Sequence, residues 1–232
     1  MKVKPLGEKA LIIEFGNEIS IEINTEVLKT YEALDQLHLP GVLEYVPAYA
    51  SLMIVYDPDI TSFNQIREKL QRLKISNKRT STSRVNIPIC YHESMALDCG
   101  ELLHKSGLHW KEIIKLHERV EYQVYMMGFL PGFLYMGEVD RKIQIPRKKV
   151  PRKRIPQGAV GIADAQTGIY PVESPGGWNI IGQSPIAFFS PDGNFPVRAG
   201  DRVQFFAISK KDYEVISTDK NYQLERVNAN AK

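Results

Sequence analysis

The sequence predicts an α+β N-terminal domain, a ferredoxin-like sheet with two helices, followed by a mainly-β domain of barrel or sandwich type. Three observations carry that expectation. Before residue 82, strand-like runs interleave with two segments whose apolar residues recur at helical spacing. From Ser76 to Arg84, Ser-Asn-Lys-Arg-Thr-Ser-Thr-Ser-Arg carries no apolar residue and many that favour turns, which marks a domain boundary. After Tyr122, short apolar runs alternate with proline and glycine turns, the pattern of a closed or sandwiched sheet. The expected divisions are therefore 1 to 82, 83 to 209, and a polar C-terminal tail from 210 to 232.

Each element has a local reason. Ala10–Phe15 is strand-like, and Ser20 is placed to cap a helix that lines up Ile23, Val27, Tyr31 and Leu34 on one face. Val42–Val46 and Leu52–Tyr56 read as a hairpin, and Phe63, Ile66, Leu70 and Leu73 mark a second amphipathic helix. Val85–Ile89 opens the second domain. Asp98 with Glu101 has the spacing of a capping box, and Gly107 is placed to end the short helix that follows. Trp110, Ile113, Ile114 and His117 then share one helical face. Strands are expected at Val124–Met127, Ala159–Ile162, Trp178–Ile181, Ile186–Phe189 and Arg202–Phe206, and Asn228–Lys232 reads as a frayed end.

Composition excludes several function classes. With 43% hydrophobic and 25% charged residues over 232 positions the chain has the makeup of a globular protein. A formal net charge of +3 is too small to argue for nucleic acid or a membrane surface. Eight basic residues do fall between Arg141 and Arg154, a run that reads either as a solvated face or as an anion-handling segment. The two cysteines, Cys90 and Cys99, fit neither a CxxC motif nor a disulfide scaffold, and with no apolar leader at Met1–Pro5 the natural location is the cytoplasm. His38, His92, His104 and His109 lack metal-ligand spacing, so no metal site is expected. There is no phosphate loop of the G-x-x-x-x-G-K-[ST] type and no G-x-S-x-G elbow, so nucleotide binding and nucleophilic catalysis would need partners.

The chemistry concentrates in Gly128-Phe129-Leu130-Pro131-Gly132-Phe133, the Pro-Arg pairs at 146–147 and 151–152, Pro156-Gln157-Gly158, and Ser174-Pro175-Gly176-Gly177-Trp178. Prolines at intervals of five favour an extended backbone between 146 and 156, on which Arg147 and Arg152 could grip a carboxylate or phosphate at low entropic cost. Gly176 and Gly177 form either a tight turn or a pair of amides open to an oxyanion. His117, in the last turn of its helix, is either a proton donor or a core histidine. Tyr125 and Tyr170 are either core or site lining.

These motifs, with Tyr122-Gln123-Val124-Tyr125, Gly168-Ile169-Tyr170-Pro171, Pro5-Leu6-Gly7 and Ile23-Asn24, resemble the family that contains the 5-oxoprolinase B subunits, the KipI-type kinase inhibitors and the first subunit of allophanate hydrolase. The chain departs from the family at Tyr91–Cys99, where relatives have a Gly-rich segment before an Asp-Leu pair. The resemblance implies a cyclophilin-like barrel for the second domain. It further implies an ATP-dependent cyclic amide hydrolase that works with A-like and C-like subunits, ATP being bound with those partners. Under it His117, Arg147 and Arg152 are the catalytic candidates, and Tyr125, Phe129, Pro131, Arg154, Gly176 and Gly177 face a small-molecule substrate. The other members imply alternatives: inhibition of a sporulation-type sensor histidine kinase, or a component of urea breakdown. A homo-oligomer is compatible with each.

Overall fold

In a computed structural model that describes residues 2–75 and 83–228, the first sheet follows from strict alternation along its two central strands. Strand β1 (Lys2–Pro5) pairs with β2 (Ala10–Glu14), helix α1 (Ile21–Asp35) follows, then the hairpin β3 (Val42–Pro47) and β4 (Ser51–Tyr56), then α2 (Phe63–Gln71). Leu11 and Ile13 of β2 and Leu52, Ile54 and Tyr56 of β4 point to one face, where Val27 and Leu34 of α1 and Ile66 and Leu70 of α2 cover them. Each of these fully buried aliphatic side chains contributes roughly 1.5–3 kcal/mol relative to exposure. Ser20 starts α1 as its sequence demands, accepting hydrogen bonds from the amides of Glu22 and Ile23, and Ser62 with Gln65 forms a capping box on α2. The strand order is β1-β2-β4-β3. A ferredoxin-like βαββαβ unit supplies that first edge with a strand after its second helix; here the N-terminal strand fills the place.

The chain divides by contacts into Met1–Ser81 and Thr82–Lys232. The turn-rich stretch read as a boundary lies mostly outside the described residues. The second unit contains β5 (Ser83–Ile89), α3 (Cys99–Ser106), α4 (Trp110–Glu118), β6 (Glu121–Met127), β7 (Leu134–Gly137), β8 (Arg152–Ile155), β9 (Ala159–Ala163), β10 (Gln166–Ile169), β11 (Ser174–Gly176), β12 (Asn179–Gln183), β13 (Arg202–Ala207), α5 (Lys210–Thr218) and β14 (Arg226–Asn228). Eight strands form one sheet in the order β12-β9-β10-β7-β6-β13-β5-β14, antiparallel except where β13 and β5 run parallel. Strands β8 and β11 stand apart as a two-stranded arm.

Several expectations are corrected. The molecule is mixed α/β with several sheets, and the cyclophilin-like barrel is not closed. β12 and the end of β5 meet only at Cys90 and Gln183, a single bridge of two hydrogen bonds (2.9 and 3.0 Å), and β14 occupies the edge of β5. Ile186–Phe189 is no strand: Pro185 and Pro191 flank it, and its Phe188 carbonyl lies against Gly132, where a Cβ would come within 2.4 Å. The polar segment after 209 is no tail up to 228. Ser209 caps α5 by accepting from the Asp212 amide, and β14 adds to β5 through Arg226↔Val85. Asp98 makes no side-chain cap to α3, although Gly107 does end that helix in the left-handed conformation (φ 66°).

Candidate functional site

The proline and glycine motifs converge on one face of the second unit. β8 pairs with β11 (Ser174↔Ile155, Gly176↔Arg152), and just upstream the Lys148 amide donates to the Gly177 carbonyl at 2.8 Å, so residues 146–155 run alongside 174–178 as one arm. Under it sits an aromatic cluster. Phe133, which closes the Gly128–Phe133 turn, meets Tyr170 and Trp178 edge-on at 5.0 and 5.4 Å, and Tyr135 packs on both Phe133 and Trp178. Only glycine fits at 176: a Cβ there would lie 2.2 Å from the Tyr170 hydroxyl. Phe129 holds the exposed tip of the turn in a left-handed conformation (φ 66°), its ring edge-on to Phe133 at 5.8 Å, and Pro131 beside it is exposed.

Arg147 is the cation this arrangement presents. It is exposed, no carboxylate among the described residues pairs with it, and its Nε lies 3.9 Å from where a Gly177 side chain would begin. Its charge acts on two hydroxyls. Burial raises Tyr135 while Arg147 opposes the rise; burial pushes Tyr170 up to about 12 against the Trp178 amide and Arg147. Arg147 and the half-buried Tyr135 thus stand at the surface beside the Gly176–Gly177 backbone, over the buried Phe133, Tyr170 and Trp178, and this is the candidate anion-binding face. Among the described residues no group of side chains could hold a metal ion, and no helix is long and apolar enough to cross a membrane.

Other expected site residues lie elsewhere. His117 is fully buried and stacked on Phe205 at 4.7 Å, in the large core rather than at the arm. Thr167 donates to the Gly161 carbonyl (3.1 Å), so its oxygen accepts from His117 Nε2 (3.0 Å), and His117 Nδ1 accepts from the Tyr91 hydroxyl (2.8 Å). Both ring nitrogens are thus used in the neutral form, and burial lowers the imidazole from 6.5 to about 3. Of the two readings of His117, the core histidine is the one the geometry fits; a sealed, neutral ring has no path to a substrate proton. Arg152 is no free anion clamp either, because both its terminal nitrogens grip Asp98 at 2.6 and 2.8 Å. Arg154 pairs with Glu173 on the exposed surface, and Tyr125 is buried beside Gly137 at the bulge of β6. The residues given no site role from the sequence are Asp98, read as a cap, and Lys148, read only as part of the basic run; nothing local marks a carboxylate whose partners lie 50 and 54 positions away.

The profile of the carboxyltransferase domain, subdomain C and D, matches residues 1–198. The chain belongs to this family. Within it, the chain is 36% identical to the B subunit of 5-oxoprolinase from Bacillus subtilis (strain 168), covering 95% of this chain and 98% of that protein. The solved structure of TTHA0988 is 37% identical with a TM-score of 0.80 over 87% of this chain, which spans 40% of that longer chain. The Kluyveromyces lactis urea amidolyase superimposes over 98% of this chain with a TM-score of 0.80 at 15% identity, a likeness of fold alone that places this carboxyltransferase-family chain against 16% of that enzyme.

Proposed function

We propose that this chain is the B-type component of an ATP-dependent 5-oxoprolinase, which with A-type and C-type partners opens the lactam of 5-oxo-L-proline to L-glutamate. The near end-to-end similarity to the Bacillus subtilis protein carries the reading. The two compact units are, in this reading, separate domains of the carboxyltransferase type, and the site belongs to the second. Its chemistry fits a binding role: Arg147 takes the substrate carboxylate, the half-buried Tyr135 stands beside it, and the buried Phe133, Tyr170 and Trp178 beneath hold that surface in place. Holding the lactam in one pose is the entropic part of catalysis.

The rest of the reaction belongs to the assembly. ATP hydrolysis supplies the driving force that a resonance-stabilised amide needs, and the chain lacks a recognisable phosphate loop to hold the nucleotide by itself. The buried His117 is no general base. The test is reconstitution in a cytosol-like buffer: ATP-dependent glutamate release is expected only when the chain is combined with its A-type and C-type partners. Turnover by the chain alone would overturn the division of labour, and silence from the complete assembly would overturn the reading.

A further inference from the structure

Resting on that reading, we propose that Asp98 is the positioning residue of the site: it latches the arm so that Arg147 is held over the aromatic cluster. Asp98 is 4% exposed and has its carboxylate fully engaged. Oδ2 accepts from Arg152 Nη1 at 2.6 Å and from the Ile180 amide at 2.7 Å; Oδ1 accepts from Arg152 Nη2 at 2.8 Å and pairs with Lys148 Nζ at 2.6 Å. The Asp98 amide in turn donates to the Ile180 carbonyl at 2.9 Å, so the residue is anchored to β12 from both its backbone and its side chain. Burial by itself would raise this carboxyl, but the hydrogen bonds from Arg152, Lys148 and Ile180 outweigh it and hold the group below its usual range, ionised.

The geometry brackets Arg147. On one side, the Pro146 carbonyl accepts from Asn179 Nδ2 at 2.9 Å. On the other, Lys148 is fixed three times, by its amide to Gly177, and by its ammonium to Asp98 and to Glu101 at 2.6 Å. Arg152 is clamped four residues further on. Arg147 is thus the one arginine of the two Pro-Arg pairs left to face a ligand, and Asp98 is the group on which Lys148 and Arg152 converge. Together with Glu101, Asp98 balances the charges of Lys148 and Arg152 and so removes them as competing anion sites, leaving Arg147 as the arm's arginine open to a substrate carboxylate. Asp98 touches no substrate; it acts through the arm.

The test compares Asp98→Asn, Arg152→Met and Arg147→Ala in the full chain, alone and assembled with its A-type and C-type partners. Hydrogen exchange of the peptide containing the Lys148 amide reports the arm directly and needs no activity. Both latch variants should exchange there at least about tenfold faster with the N-terminal unit unchanged, and should raise the KM for 5-oxoproline about tenfold while kcat moves less, since small misplacements of a positioning group weaken binding of the pose. Arg147→Ala should raise KM without accelerating exchange. Unchanged exchange in Arg152→Met, which keeps the fold testable if Asp98→Asn fails to fold, overturns the latch. Faster exchange with normal KM, where Arg147→Ala raises KM, overturns the positioning role alone. A silent Arg147→Ala overturns the site reading and with it the purpose of the latch.

Discussion

At the scale of single residues, the histidine and the arginines show how burial and partners reassign chemistry. His117 carries the residue type and motif position of a proton shuttle, yet its ring is enclosed by Tyr91, Thr167, Tyr122 and Phe205 and stays neutral. This has a pH consequence. The unfolded imidazole takes up a proton below its ordinary 6.5, the folded one only near 3, so between those values the unfolded chain binds more protons and stability falls as pH falls. Between pH 7 and pH 5 this one group should cost roughly 2 kcal/mol of stability. His117→Gln, which keeps polar contacts to Tyr91 and Thr167, should be less stable at pH 7 but lose that slope; urea melts at the two pH values check it, and an identical slope in the variant refutes the assignment. Arg147 and Arg152 occupy equivalent Pro-Arg pairs, and only their surroundings separate a ligand-facing cation from a structural one.

At the scale of elements, the arm is the instructive case. Its strands are short, four residues in β8 and three in β11, with a register shift between Ser174 and Gly176, so strand pairing by itself is a weak hold. Side chains from α3, β12 and the aromatic cluster supply the rest. The turn from β8 into β9 is held by Gly158, which has φ 77° and whose Cβ would meet the Ser184 carbonyl at 2.2 Å, while its amide donates to Tyr170 and its carbonyl accepts from Ser184. Gly158→Ala combines a disfavoured backbone with a backbone clash and should cost about 3 kcal/mol or more. Because Tyr170 is on the far end of that hydrogen bond, substrate binding should weaken as well. Thermal melting together with the KM for 5-oxoproline measures both, and a variant as stable as the parent would show that the turn relaxes freely.

At the scale of the whole molecule, the C-terminal segment completes the large sheet. β14 covers β5, whose other side pairs with β13, and Arg226 ties Ser83, Asp201 and the Pro196 carbonyl together. An uncovered β5 would expose a buried, apolar strand to other chains. Ending the chain after Thr218 should therefore destabilise the second unit by about 2 kcal/mol, a fall in Tm of roughly 4–8 °C for a unit of this size, and promote self-association. Melting and light scattering on the shortened chain test this; an unchanged Tm with monodisperse scattering would show that β14 is dispensable.

The sequence by itself determined what depends on neighbours a few positions apart. The helices around Val27 and Ile66, the hairpin from Val42 to Tyr56, the Ser20 cap and the Gly107 stop were all legible, because periodicity and capping are local. The ordered motifs from Gly128 to Trp178 also sufficed to place the chain among its relatives. Tertiary structure alone decided the rest. The Gly128–Phe133 turn, Arg147, and Gly176–Gly177 come together through the pairing of the arm's two strands and the packing of Phe133 on Tyr170 and Trp178. The open sheet follows from β14 taking the edge of β5, a pairing across more than a hundred residues that leaves no periodic trace in either strand. And whether a titratable side chain is a reagent or a strut depends on its desolvation and on partners such as Asp98 for Arg152 and Thr167 for His117, contacts that span 54 and 50 positions and that no local pattern encodes.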